Sequence, residues 1–107
     1  MPSTPSPNAR SLDHLRRLGY TAQLVEHRDR FGKTHDLLGF IDVLALRDTE
    51  TLAVQATSVD NVSHRVLKIA EAPEYAAAKA AGWRIVVHGW RPWDYEGRLD
   101  ALREVEL

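Results

Sequence analysis

Two apolar runs on either side of a short polar stretch decide most of what this chain can fold into: GFIDVLAL (39–46), RDTET, and LAVQATS (52–58). Each apolar run has the length and content of a core strand, and their closeness makes them a hairpin. RDTET holds no Asn-Gly or Asp-Gly pair, so a loop of about four residues built on a type I turn is expected rather than a tight primed turn. Both runs carry polar groups in mid-strand: Asp42 in the first, Gln55 and Thr57 in the second. Burying an unpaired amide costs roughly 2–7 kcal/mol, so these residues need a reason to be there. Side chains alternate along a strand, which puts Asp42 with Phe40, Leu44 and Leu46. Gln55 and Thr57 take the parity opposite to Leu52, Val54 and Ala56. A two-residue loop over Asp48 and Thr49 sets Asp42 opposite Gln55, and a four-residue loop sets it opposite Thr57. Either gathers the three on one face, whereas a three-residue loop parts them unless a bulge intervenes.

The remaining segments frame this hairpin. Residues 1–8, rich in Pro and Ser, are expected to be a disordered tail, with one domain over 9–107. ARSLDHLRRL (9–18) is a short helix with Leu12, Leu15 and Leu18 on one side and Gly19 as its C-terminal stop. YTAQLVEH (20–27) is a strand, and RDRFGKTHDLL (28–38) a basic loop or loosely paired extension. VDNVSHRVLKIAEA repeats Val62, Val66 and Ile69 at helical spacing, with Asp60 as the expected N-cap. PEYAAAKAA is a second helix ended by Gly82, and WRIVVHGW (83–90) a strand apolar on both faces. The tail LDALREVEL fits an edge strand. Helix, three strands, helix, strand is the order of a mixed α/β sheet.

Composition narrows the function classes. The chain has 107 residues, 44% of them hydrophobic and 27% charged, with a net charge of -1. It holds no cysteine, which excludes disulfides, thiolate nucleophiles and Cys-based zinc sites. MPSTPSPN is not a signal peptide, and no run approaches the ~20 apolar residues of a membrane span. A cytoplasmic protein without a membrane partner is the expectation. His27, His35 and Asp36 share a neighbourhood, but HExxH-like zinc spacing is missing.

Clustered polar groups on adjacent strands have a chemical use. A carboxylate with a second oxygen ligand can hold Mg²⁺, which activates water and stabilises charge on a phosphodiester, with a lysine nearby to orient that water. An Asp in an apolar strand, a short turn, then an acid or Gln, any residue, and Lys in the next strand is the pattern of the PD-(D/E)XK nuclease superfamily. Over roughly residues 9–90 this chain resembles that superfamily, its Holliday-junction resolvase-like members most, and it is similar to small phage-encoded proteins with the same signature. The resemblance implies a restriction-endonuclease-like fold and Mg²⁺- or Mn²⁺-dependent cleavage of DNA, including branched DNA, by a homodimer. It implies Asp42 and Gln55 at the metal, the Ala56 carbonyl completing the site, and a first acid at Asp13 or Glu26. Thr57 stands where the pattern has lysine. A hydroxyl carries no charge, and Lys68 on the following helix, three residues after Arg65, is the candidate replacement. Arg65 and Lys68, with Arg28, Arg30 and Lys33, are candidate phosphate contacts.

Each residue also has a plainer reading. Asp42 is a strand-end carboxylate bonded to backbone, Gln55 and Thr57 a solvated sheet face, Arg65 and Lys68 a solvated helix face, and Asp13 a favourable early-helix charge. At the level of function, the alternatives are a nuclease-fold module that binds nucleic acid without turnover and a protein-interaction domain.

Overall fold

A computed structural model describes residues 4–107; residues 1–3 of the expected tail lie outside the described residues. The domain starts earlier than 9, because Ser6 Oγ accepts the Ala9 N–H and Pro7 opens helix α1 (Pro7–Arg17). A serine cap followed by proline at the first helical position is a strong local start signal. Strand β1 (Thr21–Leu24) follows, then a small hairpin, β2 (His27–Arg28) with β3 (Thr34–His35). The long apolar runs form β4 (Val43–Arg47) and β5 (Glu50–Ser58). Helices α2 (Val62–Glu71) and α3 (Pro73–Ala80) lead into β6 (Arg84–Trp90), and β7 (Leu102–Glu106) closes the chain as an edge strand. Asp60 does not cap α2; it sits in a 3₁₀ turn, Val59–Asn61, that precedes the helix.

The five-stranded sheet runs β1-β4-β5-β6-β7, with β5 and β6 parallel and every other pair antiparallel. Parallel neighbours need a crossover, and α2 with α3 supplies it. α1 covers one face, packing Leu15 onto Ala22, Val43, Ala45, Val54 and Val86. α2 and α3 cover the other, packing Val62, Ile69 and Ala78 onto Ala53, Ile85 and Val87. Both clusters are made of residues exposed by less than 10%, each of the larger side chains contributing about 1.5–3 kcal/mol of burial.

The β4–β5 connection is shorter than the sequence leads one to expect. Arg47 pairs with Glu50, leaving only Asp48 and Thr49 in the turn, and Asp48 takes φ 55°. Aspartate tolerates that left-handed conformation better than most L-residues, which replaces the missing Asn-Gly signal. Val43 therefore registers with Val54, the register that a two-residue loop sets, and the regular pairing ends there, one position short of Asp42.

Where β6 meets the start of α2, space is the constraint. A Cβ on Gly89 would come within 2.2 Å of Val62 Cγ2 and 3.1 Å of the Val59 Cα. Gly89→Ala is expected to destabilise the fold by about 2 kcal/mol, read as a lower denaturant midpoint with an unchanged slope.

Candidate metal centre

The site forms where β4 and β5 part. The Asp42 N–H donates to the Val54 carbonyl at 2.9 Å, although Val54 registers with Val43, so the ladder is offset by one residue. Beyond that point the Asp42 side chain takes the place of the missing strand: its Oδ2 accepts the Ala56 N–H at 2.9 Å. In a strand the carbonyl of a residue points to the same side as its N–H, which turns the Ala56 carbonyl toward Asp42 as well.

Two further acids arrive from the segment between β1 and β4. The Val25 N–H donates to the Asp42 carbonyl, which places Glu26 beside it. Leu37 bridges Ile41 across a tight turn, so Asp36 comes to stand across from Asp42. That turn holds Leu38 at φ 55° and Gly39 at φ 82°, and leucine is a rare occupant of that region, at a cost of about 1–2 kcal/mol. Glu26, Asp36 and Asp42 each bring one carboxylate oxygen within 4.8 Å of the others. Gln55, 1% exposed, donates Nε2 to Asp36 Oδ2 at 3.4 Å, while its Oε1 is buried with no hydrogen-bond partner. The Lys68 ammonium lies 3.9 Å from the same Asp36 oxygen.

Electrostatically the cluster is unbalanced, with three carboxylates facing one ammonium. Burial pushes the Asp42 carboxyl up to about 7, and the Asp36 and Glu26 charges add to the rise against the opposing bond from Ala56. The donor set is entirely oxygen, the choice of hard cations such as Mg²⁺ and Mn²⁺, and the orphaned Gln55 Oε1 fits the same group. No protein-family model, no characterised protein and no solved structure matches this chain. The reading of the site therefore rests on its geometry.

The structure brings some of the residues singled out by sequence together and leaves others apart. Asp42, Gln55, Ala56, Glu26 and Lys68 converge. Thr57 shares their face, is buried at 5% exposure, and registers beside Gly89 of β6. Arg65 is half-buried on α2, its Nε without a partner. Asp13 is not brought in: it pairs with Arg17 at 2.6 Å on α1, which covers the opposite face of the sheet. Arg28, Arg30 and Lys33 lie on the β2–β3 hairpin, between Glu26 and Asp36. His27 and His35 stack on each other there, and His35 bonds Asp29 rather than the acidic cluster.

Asp36 is the member that sequence reasoning placed elsewhere, beside the histidines. A second polar constellation also went unseen. Trp90 Nε1 donates to Ser11 Oγ at 2.9 Å, Ser11 Oγ lies 2.9 Å from His88 Nδ1, and His88 Nε2 lies 2.9 Å from Glu104 Oε2. Every donor is satisfied when the serine hydroxyl donates to Nδ1 and Nε2–H donates to Glu104. Serine, histidine and glutamate are the members of a hydrolase triad, but Ser11 and His88 are fully buried and no substrate reaches them. They tie α1 to β6 and β7.

Proposed function

We propose that this protein is a Mg²⁺- or Mn²⁺-dependent nuclease acting on DNA, including branched DNA, with its centre at Asp42. The observation that carries this reading is the convergence of Glu26, Asp36 and Asp42 on one point beside the unpartnered Gln55 Oε1. The helix-strand-strand-strand-helix-strand order of α1, β1, β4, β5, α2 and β6 supports the resemblance to PD-(D/E)XK nucleases. Asp36, Asp42, Gln55 Oε1 and the Ala56 carbonyl would hold the cation, with Glu26 alongside. Bound there, it would supply a hard Lewis acid against the negative charge of a phosphodiester.

The chain's own groups divide the remaining work. Asp42 would give up its proton on admitting a cation there. Lys68, 42% exposed at its side chain, is the cation that offsets charge developing on the phosphate or orients the attacking water. Thr57, buried and uncharged, fills the motif position without doing the lysine's task. Lys68→Ala is expected to lower the cleavage rate about 100-fold, in the range of a lost general acid–base or charge-stabilising group, with cation binding retained.

Incubating duplex, single-stranded and four-way junction DNA with Mg²⁺ or Mn²⁺, wild type beside Asp42→Ala, tests the reading. Metal-dependent cleavage lost in the variant supports it; no cleavage of any substrate by the wild type rejects turnover. The presence of Thr57 at the lysine position favours one second reading, a metal-bearing DNA-binding module without turnover. That reading expects salt-sensitive DNA binding that survives Asp42→Ala. A second copy belongs to either reading on two-fold junctions, and sedimentation with junction DNA measures it.

A further inference from the structure

We propose that the β2–β3 hairpin is a substrate arm whose tip, Phe31, stacks on an unpaired base of the DNA strand held at the acidic cluster. This rests on the nuclease reading above and adds the substrate feature that the site would select. The hairpin leaves the sheet after Glu26 and returns at Asp36, so both of its ends are residues of the cluster. Val25 and Leu37, one position outside those ends, pack against the α2-face core and anchor it. Between them, among the described residues, nothing joins either hydrophobic cluster.

The arm's tip is nonetheless closed by its own hydrogen bonds. Gly32 N–H donates to the Asp29 carbonyl at 3.0 Å and Asp29 N–H to the Lys33 carbonyl at 2.8 Å, a type I turn followed by a left-handed residue. Gly32 supplies that conformation at φ 82°. Asp29 Oδ1 accepts the N–H groups of Phe31 and Lys33 at 2.8 and 3.0 Å, and Oδ2 lies 2.9 Å from His35 Nε2. One aspartate thus fixes the whole turn from inside.

What the turn holds out is an aromatic ring. Phe31 is 81% exposed, with the Arg30 guanidinium 5.0 Å from its ring centre. Single exposed apolar residues are ordinary, so exposure alone says little. The company of this one is specific: Arg30 lies over its ring, Arg28 and Lys33 belong to the same short hairpin, and the hairpin's single carboxylate, Asp29, is engaged by the Phe31 and Lys33 N–H groups and by His35. A π-face flanked by cations on a preordered support is the equipment for a base with its neighbouring phosphates. A base still stacked in a duplex offers no free face, so the arm favours single-stranded, flapped or junction DNA over continuous duplex. Four residues lie between Glu26 and Phe31, five steps of chain that reach at most about 17 Å, or no more than about five nucleotides at stacked spacing.

The test places 2-aminopurine at successive positions of a single-stranded and a junction DNA, with the full-length protein added in EDTA so that no turnover is needed. Wild type is expected to quench the probe within about five nucleotides of the position cut when Mg²⁺ is supplied. Phe31→Ala should lose the quench and bind these DNAs roughly tenfold more weakly, Phe31→Trp should keep both, and affinity for continuous duplex should not change. Removing Arg30 and Lys33 together should reduce the salt slope on single strands by about 1.4. Identical quenching and affinity in Phe31→Ala overturn the arm while leaving the nuclease reading intact if cleavage persists. Unchanged DNA binding with a shift in oligomeric state makes Phe31 a protein contact and also overturns it. The nuclease reading fails separately, when the wild type binds and quenches but cleaves no DNA with either metal.

Discussion

Asp42→Asn is expected to make the metal-free protein more stable at pH 8, even though it removes the carboxylate at the centre of the candidate site. The folded chain keeps the Asp42 proton up to about pH 7, while the unfolded chain gives it up near 3.8. Between those values the folded state binds more protons than the unfolded one, so stability falls as the pH rises through that window. Above it the whole cost of a buried carboxylate beside Asp36 and Glu26 is present. Asparagine accepts the Ala56 N–H just as well and brings no charge, and it should gain on the order of 2 kcal/mol at pH 8 and almost nothing at pH 4. Urea melts of both proteins in EDTA at the two pH values check this. Equal stability at pH 8 would show that the wild-type cluster bears no electrostatic load. On the proposed metal reading, Mg²⁺ at a hundredfold excess over Kd should stabilise the wild type by about 2.7 kcal/mol, and the same variant should lose that gain.

The largest loss of stability is expected on the far face of the sheet, where His88→Ala should cost about 3–5 kcal/mol. The ring is fully buried and both nitrogens are bonded. Removing it opens a cavity and strands the Ser11 hydroxyl beneath α1 while Glu104 loses its partner. Thermal melting and near-ultraviolet signals of Trp90, whose indole donates to the same serine, report the damage. The bond from His88 holds the Glu104 carboxyl below its ordinary value. A lowered folded value contributes stability that is present above the ordinary value, about 4.5, and is lost as the pH falls through the folded one. Glu104→Gln should therefore flatten the acid limb of the stability curve. Metal binding at Asp42 should survive both changes, because α1 and α2 lie on opposite faces.

Much of the sheet and half of the site were legible in the residues, for reasons that can be named. Strand periodicity placed the five-residue and nine-residue pairs of β4 and β5, and parity alone put Asp42, Gln55 and Thr57 on one side. Helix periodicity put Lys68 on the polar side of α2 and the resemblance made it a candidate, but its 3.9 Å approach to Asp36 depends on how α2 packs on the sheet. Asp36 was hidden because its position depends on the Leu37–Ile41 bridge and on Leu38 in a left-handed conformation, which no propensity for leucine announces. The resemblance offered Asp13 on the leading helix as the first acid, with Glu26 on the first strand as its rival; the packing of α1 onto the other face separates them. The turn at Asp48 was misjudged because a single aspartate at φ 55° does what an Asn-Gly pair usually signals. The β2–β3 hairpin escaped because strands of two residues have no period to detect, although Asp29 and Gly32 are spaced as a type I turn requires.

The central claim is that Glu26, Asp36, Asp42 and Gln55 are a site for a hard divalent cation, and calorimetric titration of Mn²⁺ and Mg²⁺ into the metal-free protein tests it directly. The expected result is one saturable site per chain, proton release on binding near pH 7, loss of the site in Asp42→Asn and weakened binding in Gln55→Ala. No saturable binding by the wild type, or an isotherm unchanged by Asp42→Asn, would contradict it.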